Sequence, residues 1–539
     1  ATRRDEFSET EANKLRELTG KAIQVIRLSG DYEHPDRRND GYRQARDVLL
    51  QNSDILVAVF DPEAAAREAG TRETVGVALD RGTPVVAVLV HAGEARIRIV
   101  HRKEGHDLKD PALGMENAAS LAAPEWRGAL DGCVESQLVL PELLKPREHE
   151  HDETVKHAVE RLRMMIGTRD VPWLCRNRTL TAIFRWSWNA LLRVASCVAP
   201  QELTKHLREE RELPADDIEL EPYKQFYDQA SRISSAFMQT SRGAFVLSYF
   251  LAGLAVTAAV TMMAVLIYTH GHPPVAVMLM LCAVKIIILV VLLALERQGH
   301  KGRLQEAAAD FRYLAEILRP MQWLNPAGIY PPAVELPLHA APLDPRRSWM
   351  AWLAREVARS SRCVTPSTAF ATIPITASFA MAALRRAKDE WIAGQVLYHW
   401  KNAVRMRVLD EGLERLAKAL LWIVLVAAFI ACALELSGDH GPVPLLLGTA
   451  AAVLPAFIAG LSGIAFQSEA KRLAARSEAM HRALHEQQRQ IDAAIEHIER
   501  YPHESMSAVA TILQRLSAIT VEEAGHWKVL YQVHVIHAG

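Results

Sequence analysis

The chain has 539 residues, half of them hydrophobic, and its 62 lysines and arginines nearly balance its 63 aspartates and glutamates. This balance gives no basic surplus, and no nucleic-acid partner is predicted. The six cysteines form no CxxC pair or other metal-ligand spacing, so neither a disulfide framework nor a metal site is predicted. The polar start at residues 1–5 has no initiator Met and does not resemble a signal peptide, so we expect that residues precede it.

The first 150 residues show the pattern of an α/β domain. The predicted elements are a strand at 22–28, a helix at 41–51, a strand at 54–60, a helix at 71–81 and a strand at 85–90. The last two strands are nearly continuous apolar runs, as in buried parallel strands. The order strand, crossover helix, strand predicts a Rossmann-like cytosolic domain over residues 1–150.

Polar residues follow the first apolar strand of this domain. Asp61, Gly70, Thr71, Arg72 and Glu73 lie in the next loop and at the start of the next helix. Ligands of parallel sheets bind beyond the carboxyl ends of the strands, and free N–H groups at helix N-termini bind phosphate. We predict a nucleotide there, with Thr71 on phosphate and Asp61 or Glu73 on a ribose hydroxyl. The alternative is an ordinary connection in which Asp61 and Thr71 are turn and capping residues.

Three segments of this domain resemble the SLOG superfamily, Rossmann-like domains that sense or process nucleotide-derived ligands. They are NSDILVAVFD at 52–61, AGTRETVGVA at 69–78 and GTPVV at 82–86. The same segments are similar to nucleoside 2-deoxyribosyltransferases, in which a Glu four residues after the Gly of the Gly-Thr pair is the nucleophile. This chain has Thr74 there and Glu73 one residue earlier, about 100° around a helix. No catalytic residue is therefore predicted.

Two apolar hairpins predict an integral membrane protein. The first covers residues 241–297, with spans at 244–268 and 275–295, and the second covers 416–467, with spans at 416–436 and 442–466. Each span can cross a hydrocarbon core of about 30 Å at about 1.5 Å per residue. Four buried helices of a large soluble core are the alternative.

Basic residues predict the orientation of both hairpins. They flank each hairpin at its two ends, whereas the turns hold only histidine or acidic side chains. The flanking residues are Arg232, Arg242, Arg297, Lys301, Arg303, Arg405, Arg407, Arg415, Lys418, Lys471, Arg472 and Arg476. The N-terminus, the segment between the hairpins and the C-terminus should therefore face the cytoplasm.

One charged residue, Lys285, lies near the centre of the second span. An ammonium group there costs about 2.5–3.5 kcal/mol on insertion scales, so it needs water or a partner. We predict that Lys285 faces a lumen or a helix interface in an oligomer, where it sets anion preference or acts as a switch. Snorkelling or binding to backbone carbonyls is the alternative.

The remaining segments are predicted to be cytoplasmic. They are a helical connector at 151–240, helices with a Pro-rich linker at 298–415, and a C-terminal helix and tail at 468–539. Apolar residues recur at helical spacing over 223–237 and 304–318, so helices should continue from the spans into the cytoplasm. A heptad seam follows the second hairpin, at Ser477, Met480, Leu484, Gln487, Ile491, Ala494 and Ile498. It predicts either self-association or packing against the same chain.

Residues 227–250, 311–319 and 391–402 resemble two-transmembrane effector domains associated with SLOG and SMODS genes in bacterial antiphage systems. The resemblance implies a sensor domain coupled to spans that disrupt or permeabilise the membrane when a nucleotide signal arrives. We expect a homo-oligomeric, multi-pass protein of the bacterial inner membrane that acts as a nucleotide-responsive effector or channel. Its only expected ligand is nucleotide-derived. Two alternatives remain open: a membrane-tethered nucleotide-processing enzyme using Glu73 or Asp61, and a structural scaffold with a vestigial nucleotide domain.

Overall fold

The computed structural model is mostly helical over the residues that it describes. These are residues 8–21, 25–27, 38–51, 53–65, 68–80, 83–100, 119–120, 124–138, 151–208, 221–269, 271–324, 348–363, 372–374, 376–438, 441–502 and 505–533. The Pro-rich linker predicted at 325–345 lies outside them.

The N-terminal part contains a small sheet flanked by helices. Its elements are α1 Glu9–Lys21, β1 Val25–Arg27, α2 Arg38–Gln51, β2 Leu56–Phe60, α3 Thr71–Asp80, β3 Val85–His91, β4 Glu94–Val100, β5 Ala119–Ser120 and α4 Glu125–Leu138. Strands β2 and β3 are parallel, with Leu56 opposite Val85, and α3 connects them. Val75 and Leu79 of α3 pack on Ala87 in the core of this unit. The predicted strand, helix, strand unit is therefore present.

The rest of the sheet differs from the Rossmann-like expectation. Strand β3 turns directly into β4, which pairs with it antiparallel, and β5 pairs antiparallel with β4. Ala92 and Gly93 have φ values of 49° and 86°, which suit the tight two-residue turn between β3 and β4. Strand β1 pairs with β6, Thr372–Pro374, instead of joining this sheet. Among the described residues, the sheet thus contains one parallel pair, β2 and β3, and not a complete Rossmann sheet.

Helices account for the rest of the fold. They are α5 His151–Met165, α6 Trp173–Arg176, α7 Arg178–Val198, α8 Gln201–Arg208, α9 Tyr223–Tyr268, α10 Val275–Gly302, α11 Leu304–Leu318, α12 Met321–Leu324, α13 Trp349–Cys363, α14 Ala377–Arg386, α15 Ala393–Leu436, α16 Pro442–Ser468, α17 Ala470–Arg500 and α18 Ser505–Val533. A short π-helical segment, Ala387–Ile392, joins α14 to α15.

Four helices, α9, α10, α15 and α16, contain the four predicted spans and are long and apolar enough to cross a membrane. Gly271 and Gly438, both with φ of 85°, lie in the turns of the two hairpins. Helices α9 and α15 have 46 and 44 residues, roughly twice the length that a span needs. They continue out of the apolar region into the helical part of the protein, as the sequence predicts.

The four apolar helices pack as a row: α10 contacts α9, α9 contacts α16, and α16 contacts α15. Glycines allow the two hairpins to approach closely. A Cβ placed on Gly253 would lie 2.9 Å from the Phe457 ring, and one on Gly463 would lie 2.5 Å from the Tyr249 ring. Small residues of this kind are typical of helix contacts within lipid.

Outside the apolar row, helices form one core around α11, which packs against α9, α13 and α18, and we call it the helical core. Its largest buried side chains include Phe237, Phe311, Trp349 and Trp391, with the Phe311 and Trp349 rings in edge-to-face contact. Helix α17 packs against α15, α14 and α18 through its heptad seam. Ser477, Met480, Leu484, Gln487, Ile491 and Ile498 are buried there. The seam therefore packs against the same chain, and it gives no support for self-association.

Candidate functional site

The predicted ligand residues meet at the carboxyl ends of β2 and β3. Asp61 follows the last residue of β2, and His91 is the last residue of β3. Because parallel strands end at the same edge, the two side chains meet, with 3.0 Å between His91 Nδ1 and Asp61 Oδ1. The same carboxylate oxygen accepts a hydrogen bond from the Glu63 backbone N–H at 2.9 Å. These contacts, the backbone hydrogen bond first, lower the pKa of Asp61.

Glu73 caps the first turn of α3. Its carboxylate accepts a hydrogen bond from the Ala69 backbone N–H at 2.8 Å, which is the reach-back contact of a capping box. It also accepts one from Arg46 Nη1 at 2.6 Å and one from Arg43 Nε at 3.4 Å. The Ala69 N–H and the two arginines lower the pKa of Glu73. The carboxylate is thus ionised at neutral pH and already engaged by three donors.

The remaining predicted residues frame the same helix start. Arg72 donates from its guanidinium to the Pro62 carbonyl, and Thr71 is exposed as the first residue of α3. Thr74, at the position after Glu73 in α3, donates its hydroxyl to the Gly70 carbonyl at 3.1 Å. The structure therefore brings Asp61, Gly70, Thr71, Arg72 and Glu73 to one edge of the sheet. We call this edge the α3 site.

The sequence prediction missed three side chains at the α3 site. Arg43 and Arg46 reach it from α2, and His91 reaches it from β3. The arginines are spaced three residues apart on α2, the helix before β2, a signal that charge patterning could have found. An anion at the start of α3 would meet two guanidinium groups and the free N–H groups of the first helical turn. To bind both arginines, it would have to displace the Glu73 carboxylate.

A second constellation, absent from the prediction, lies in the helical core. Buried Glu316 on α11 pairs with Arg319 Nη1 at 2.7 Å and with Arg312 Nη2 at 2.5 Å. Arg319 also donates to the Tyr227 hydroxyl on α9 at 2.8 Å. Buried His399 extends the group to α15. We call these five residues the charge network.

Burial shifts the pKa values of Glu316 and His399 in the charge network. Burial raises the pKa of Glu316, but Arg312 and Arg319 outweigh it, so the pKa lies below its usual range. For His399 burial is the largest effect, and it lowers the pKa to about 4. The network therefore holds an ionised carboxylate between two guanidinium groups, beside a neutral imidazole. Removing the Glu316 charge would leave two guanidinium groups close together without the carboxylate between them.

Lys285 lies on the inner face of α10. It is partly buried, and so are Leu281 and Leu292, while Ile288 is buried. These residues recur at intervals of three and four, so they share the face of α10 that packs against α9. The neighbouring Val284, Ile286 and Ile287 are exposed on the other faces. Lys285 is thus placed at a helix interface, while its role in conduction stays a prediction.

Two histidines on α17 have metal-ligand spacing but other contacts. His481 Nδ1 lies 3.0 Å from the Val396 carbonyl oxygen, and its ring packs edge-on against His485. Among the described residues, no group of three or more His, Cys, Asp or Glu side chains could hold a metal ion.

Comparisons with protein-family models, curated proteins and solved structures find no match to this chain. The class of protein therefore rests on the architecture. The chain has four helices suited to crossing a membrane, a large helical part continuous with two of them, and a small α/β unit with paired charged side chains at one edge of its sheet.

Proposed function

We propose that this chain is a nucleotide-responsive membrane effector, in which cytoplasmic helices control the arrangement of the spans. The observation that carries the proposal is the charge network. Arg319 of α11 donates a hydrogen bond to Tyr227 of α9, and the Arg312 guanidinium of α11 lies 5.7 Å from the ring centre of Tyr398 on α15. Helices α9 and α15 each run without a break into a span. A displacement of α11 would therefore move one helix of each hairpin together.

The ligand proposed for the α3 site carries phosphate. Two features support it: the N-terminal turn of α3 faces outward, and Arg43 and Arg46 approach the same turn. Phosphate binding there would exchange the Glu73 carboxylate for a dianion on the same two arginines. That exchange would release the Glu73 side chain from the Ala69 N–H and alter the contact between α2 and α3.

The proposed output is a change in membrane permeability. The row α10–α9–α16–α15 leaves large apolar side chains exposed on α10 and α15, and a row does not enclose a path by itself. Copies of the chain would have to close around a path, with Lys285 at or near its wall favouring anions. A bacterial inner membrane with both termini in the cytoplasm fits the placement of basic residues. Action in antiphage defence follows from the stated resemblance alone.

A scaffold with a vestigial ligand site is the second candidate. One observation favours it. The Glu73 carboxylate already accepts hydrogen bonds from Arg43, Arg46 and the Ala69 N–H, which are the donors that a bound anion would use. The same engagement disfavours an enzyme that uses Glu73 as a nucleophile, because three donors stabilise the carboxylate.

Flux through the full chain in liposomes tests the proposal. We expect one or more members of a panel of nucleoside phosphates, including cyclic and NAD-derived ones, to release trapped anions from liposomes. Arg46→Ala should raise the required concentration at least tenfold, because a hydrogen-bonded charge contact to phosphate is lost. Arg482 is an exposed arginine of α17, and Arg482→Ala is a matched control that should behave as wild type.

Binding measured separately distinguishes the two candidates. Calorimetry on the detergent-solubilised protein should show nucleotide binding that Gly70→Val weakens, because a branched side chain would crowd the start of α3. Binding without flux would contradict the effector proposal and leave a ligand-binding scaffold. Absence of binding in wild type, or equal binding by Gly70→Val, would make the α3 site vestigial.

A further inference from the structure

Helix α7 carries apolar side chains on a face that no other described part of the chain covers. Ile183, Trp186 and Val194 are 41%, 67% and 47% exposed. Their positions, together with Ala190, recur at intervals of three and four, so they form one stripe along the helix. The side chain of Asn177 starts this helix by accepting hydrogen bonds from the Thr179 and Leu180 N–H groups at 3.0 and 3.2 Å.

The adjoining face of α7 is fixed against two of the long helices. A Cβ on Gly243 of α9 would overlap the backbone of Phe184, and one on Gly412 of α15 would overlap the backbone of Ala195. The Ser187 hydroxyl donates to the Gly243 carbonyl at 3.2 Å. Backbone contact at two separate glycines sets the position of α7 along both helices, because no longer side chain intervenes.

That position coincides with the boundary of the apolar spans. Gly243 directly precedes the first predicted span, which starts at residue 244, and Gly412 lies about one helical turn before the third, which starts at residue 416. Ala195 shares a core cluster with Val246 of α9 and Ile464 of α16, both inside spans. The buried face of α7 therefore packs on α9 and α15 at the level where their apolar spans begin.

Charge on α7 is of one sign. Arg178, Arg185 and Arg193 are exposed, and the 21 residues of the helix include no Asp or Glu. By helical spacing the arginines lie beside the apolar stripe, away from the buried face. Neither Arg185 nor Arg193 forms an ion pair with another described residue. A basic amphipathic helix with an exposed Trp has the composition of helices that lie in a membrane interface.

We propose that α7 is an interfacial helix that lies in the headgroup layer and selects anionic phospholipids. The apolar stripe enters the acyl boundary, Trp186 sits at headgroup depth, and the arginines bind lipid phosphates. Each arginine should favour an anionic lipid by about fivefold. Since α7 contacts both α9 and α15, the lipid composition of this leaflet would act on both hairpins. The proposal does not depend on a nucleotide ligand.

Lipid quenching in the full chain tests the depth of α7. A fluorophore is attached at Trp186→Cys in a variant whose exposed cysteines, Cys197, Cys282 and Cys432, are replaced by Ala. In nanodiscs of dibrominated phosphatidylcholine we expect strong quenching at residue 186. The same fluorophore at Arg482→Cys on cytoplasmic α17 should not be quenched. Equal quenching at the two positions would overturn the interfacial placement.

Lipid competition tests the charge selection. Exchanging brominated phosphatidylcholine for unbrominated phosphatidylglycerol should relieve quenching at residue 186, with a preference of at least fivefold for the anionic lipid. In Arg185→Glu/Arg193→Glu the preference should fall to about one. Arg482→Glu/Arg515→Glu makes the same charge change on exposed cytoplasmic helices and should keep the wild-type preference. An unchanged preference in the α7 variant would overturn the selection of anionic lipid.

Discussion

Helices α9 and α15 each pass through two regions that pack by different chemistry. In the helical core around α11, α9 receives a hydrogen bond from Arg319 at Tyr227, and α15 places the Tyr398 ring 5.7 Å from the Arg312 guanidinium. In the apolar row, α9 meets α16 through glycines and aromatic rings, as Gly463 and Tyr249 illustrate. The difference follows from the solvent: water drives burial around the core, whereas lipid gives no such drive and favours close approach of backbones. The same continuous helix is thus held by polar contacts in one region and by close backbone contacts in the other.

The largest expected effect is on the charge network. Glu316→Gln keeps the shape of the side chain but leaves Arg312 and Arg319 without their counter-charge. We expect the free energy of unfolding of the helical core to fall by about 3 kcal/mol or more. Thermal unfolding in detergent measures this loss of stability. The control is Glu414→Gln, because Glu414 is exposed and pairs with Lys418. A stability equal to that of the control would mean that the buried charges are solvated.

The second effect is pH dependence from His399. Its pKa is about 4 in the folded chain and about 6.5 when unfolded, so the unfolded state binds more protons between these values. Stability should therefore fall as pH drops from 6.5 towards 4, by up to about 3 kcal/mol. In His399→Gln, the part of this pH dependence that comes from His399 should disappear. His485→Gln, an exposed histidine of α17, should keep the wild-type slope; equal slopes in both variants would contradict a buried neutral His399.

A smaller effect is expected in the apolar row. Gly463→Leu places a side chain where the Tyr249 ring now lies, and overpacking of this kind costs about 1–3 kcal/mol. We expect a lower melting temperature and greater labelling of a cysteine introduced at the α9–α16 contact. Gly448→Leu in the same helix is a matched control, because a Cβ there has open space. If both variants melted alike, the glycine contact would not hold the hairpins together.

The smallest effect is expected at the α3 site. Glu73→Gln weakens the capping box and two contacts to arginine, so the α/β unit should lose about 1 kcal/mol. Because the folded pKa of Glu73 is lowered, its contribution is present above the unfolded value near 4.5 and is lost as pH falls through the folded value. Hydrogen exchange of α3 measures this loss at pH 7 and at pH 3.5. Glu63→Gln, an exposed neighbour, is the control, and equal protection in both variants would contradict the cap.

The sequence was sufficient to predict an element where one feature, such as hydrophobicity, extends along a continuous segment. Spans at 244–268, 275–295, 416–436 and 442–466 were predicted because long uncharged runs have few other uses, and each lies in one helix. The strand, helix, strand unit around α3 was predicted for a similar reason. The β3–β4 hairpin was missed, since its turn at Ala92 and Gly93 lacks the usual Asn-Gly signal. The Rossmann-like sheet was therefore expected to extend farther than the described strands do.

At the α3 site, the sequence placed five residues at one edge but not their partners. Asp61 and Glu73 were candidates for ribose contacts, whereas the structure pairs them with His91 and with Arg43 and Arg46. Those partners come from other elements, and sequence spacing does not report distances between elements. The heptad seam of α17 is a similar case: its spacing fits a second copy or the same chain equally well, and only the packing against α15 and α18 decides it.

By itself, the sequence determined the four spans, the helices that extend from them and the position of Lys285 along α10, because hydrophobic runs and helical periodicity are properties of neighbours along the chain. The tertiary structure decided which faces meet. Tyr227 and His399 are distant in sequence from the Glu316 and Arg319 pair of α11, and their separate positions carry no signal that they share one buried network. Burial of charge becomes favourable only when partners from several helices arrive together, so that network could be recognised only after the chain was folded.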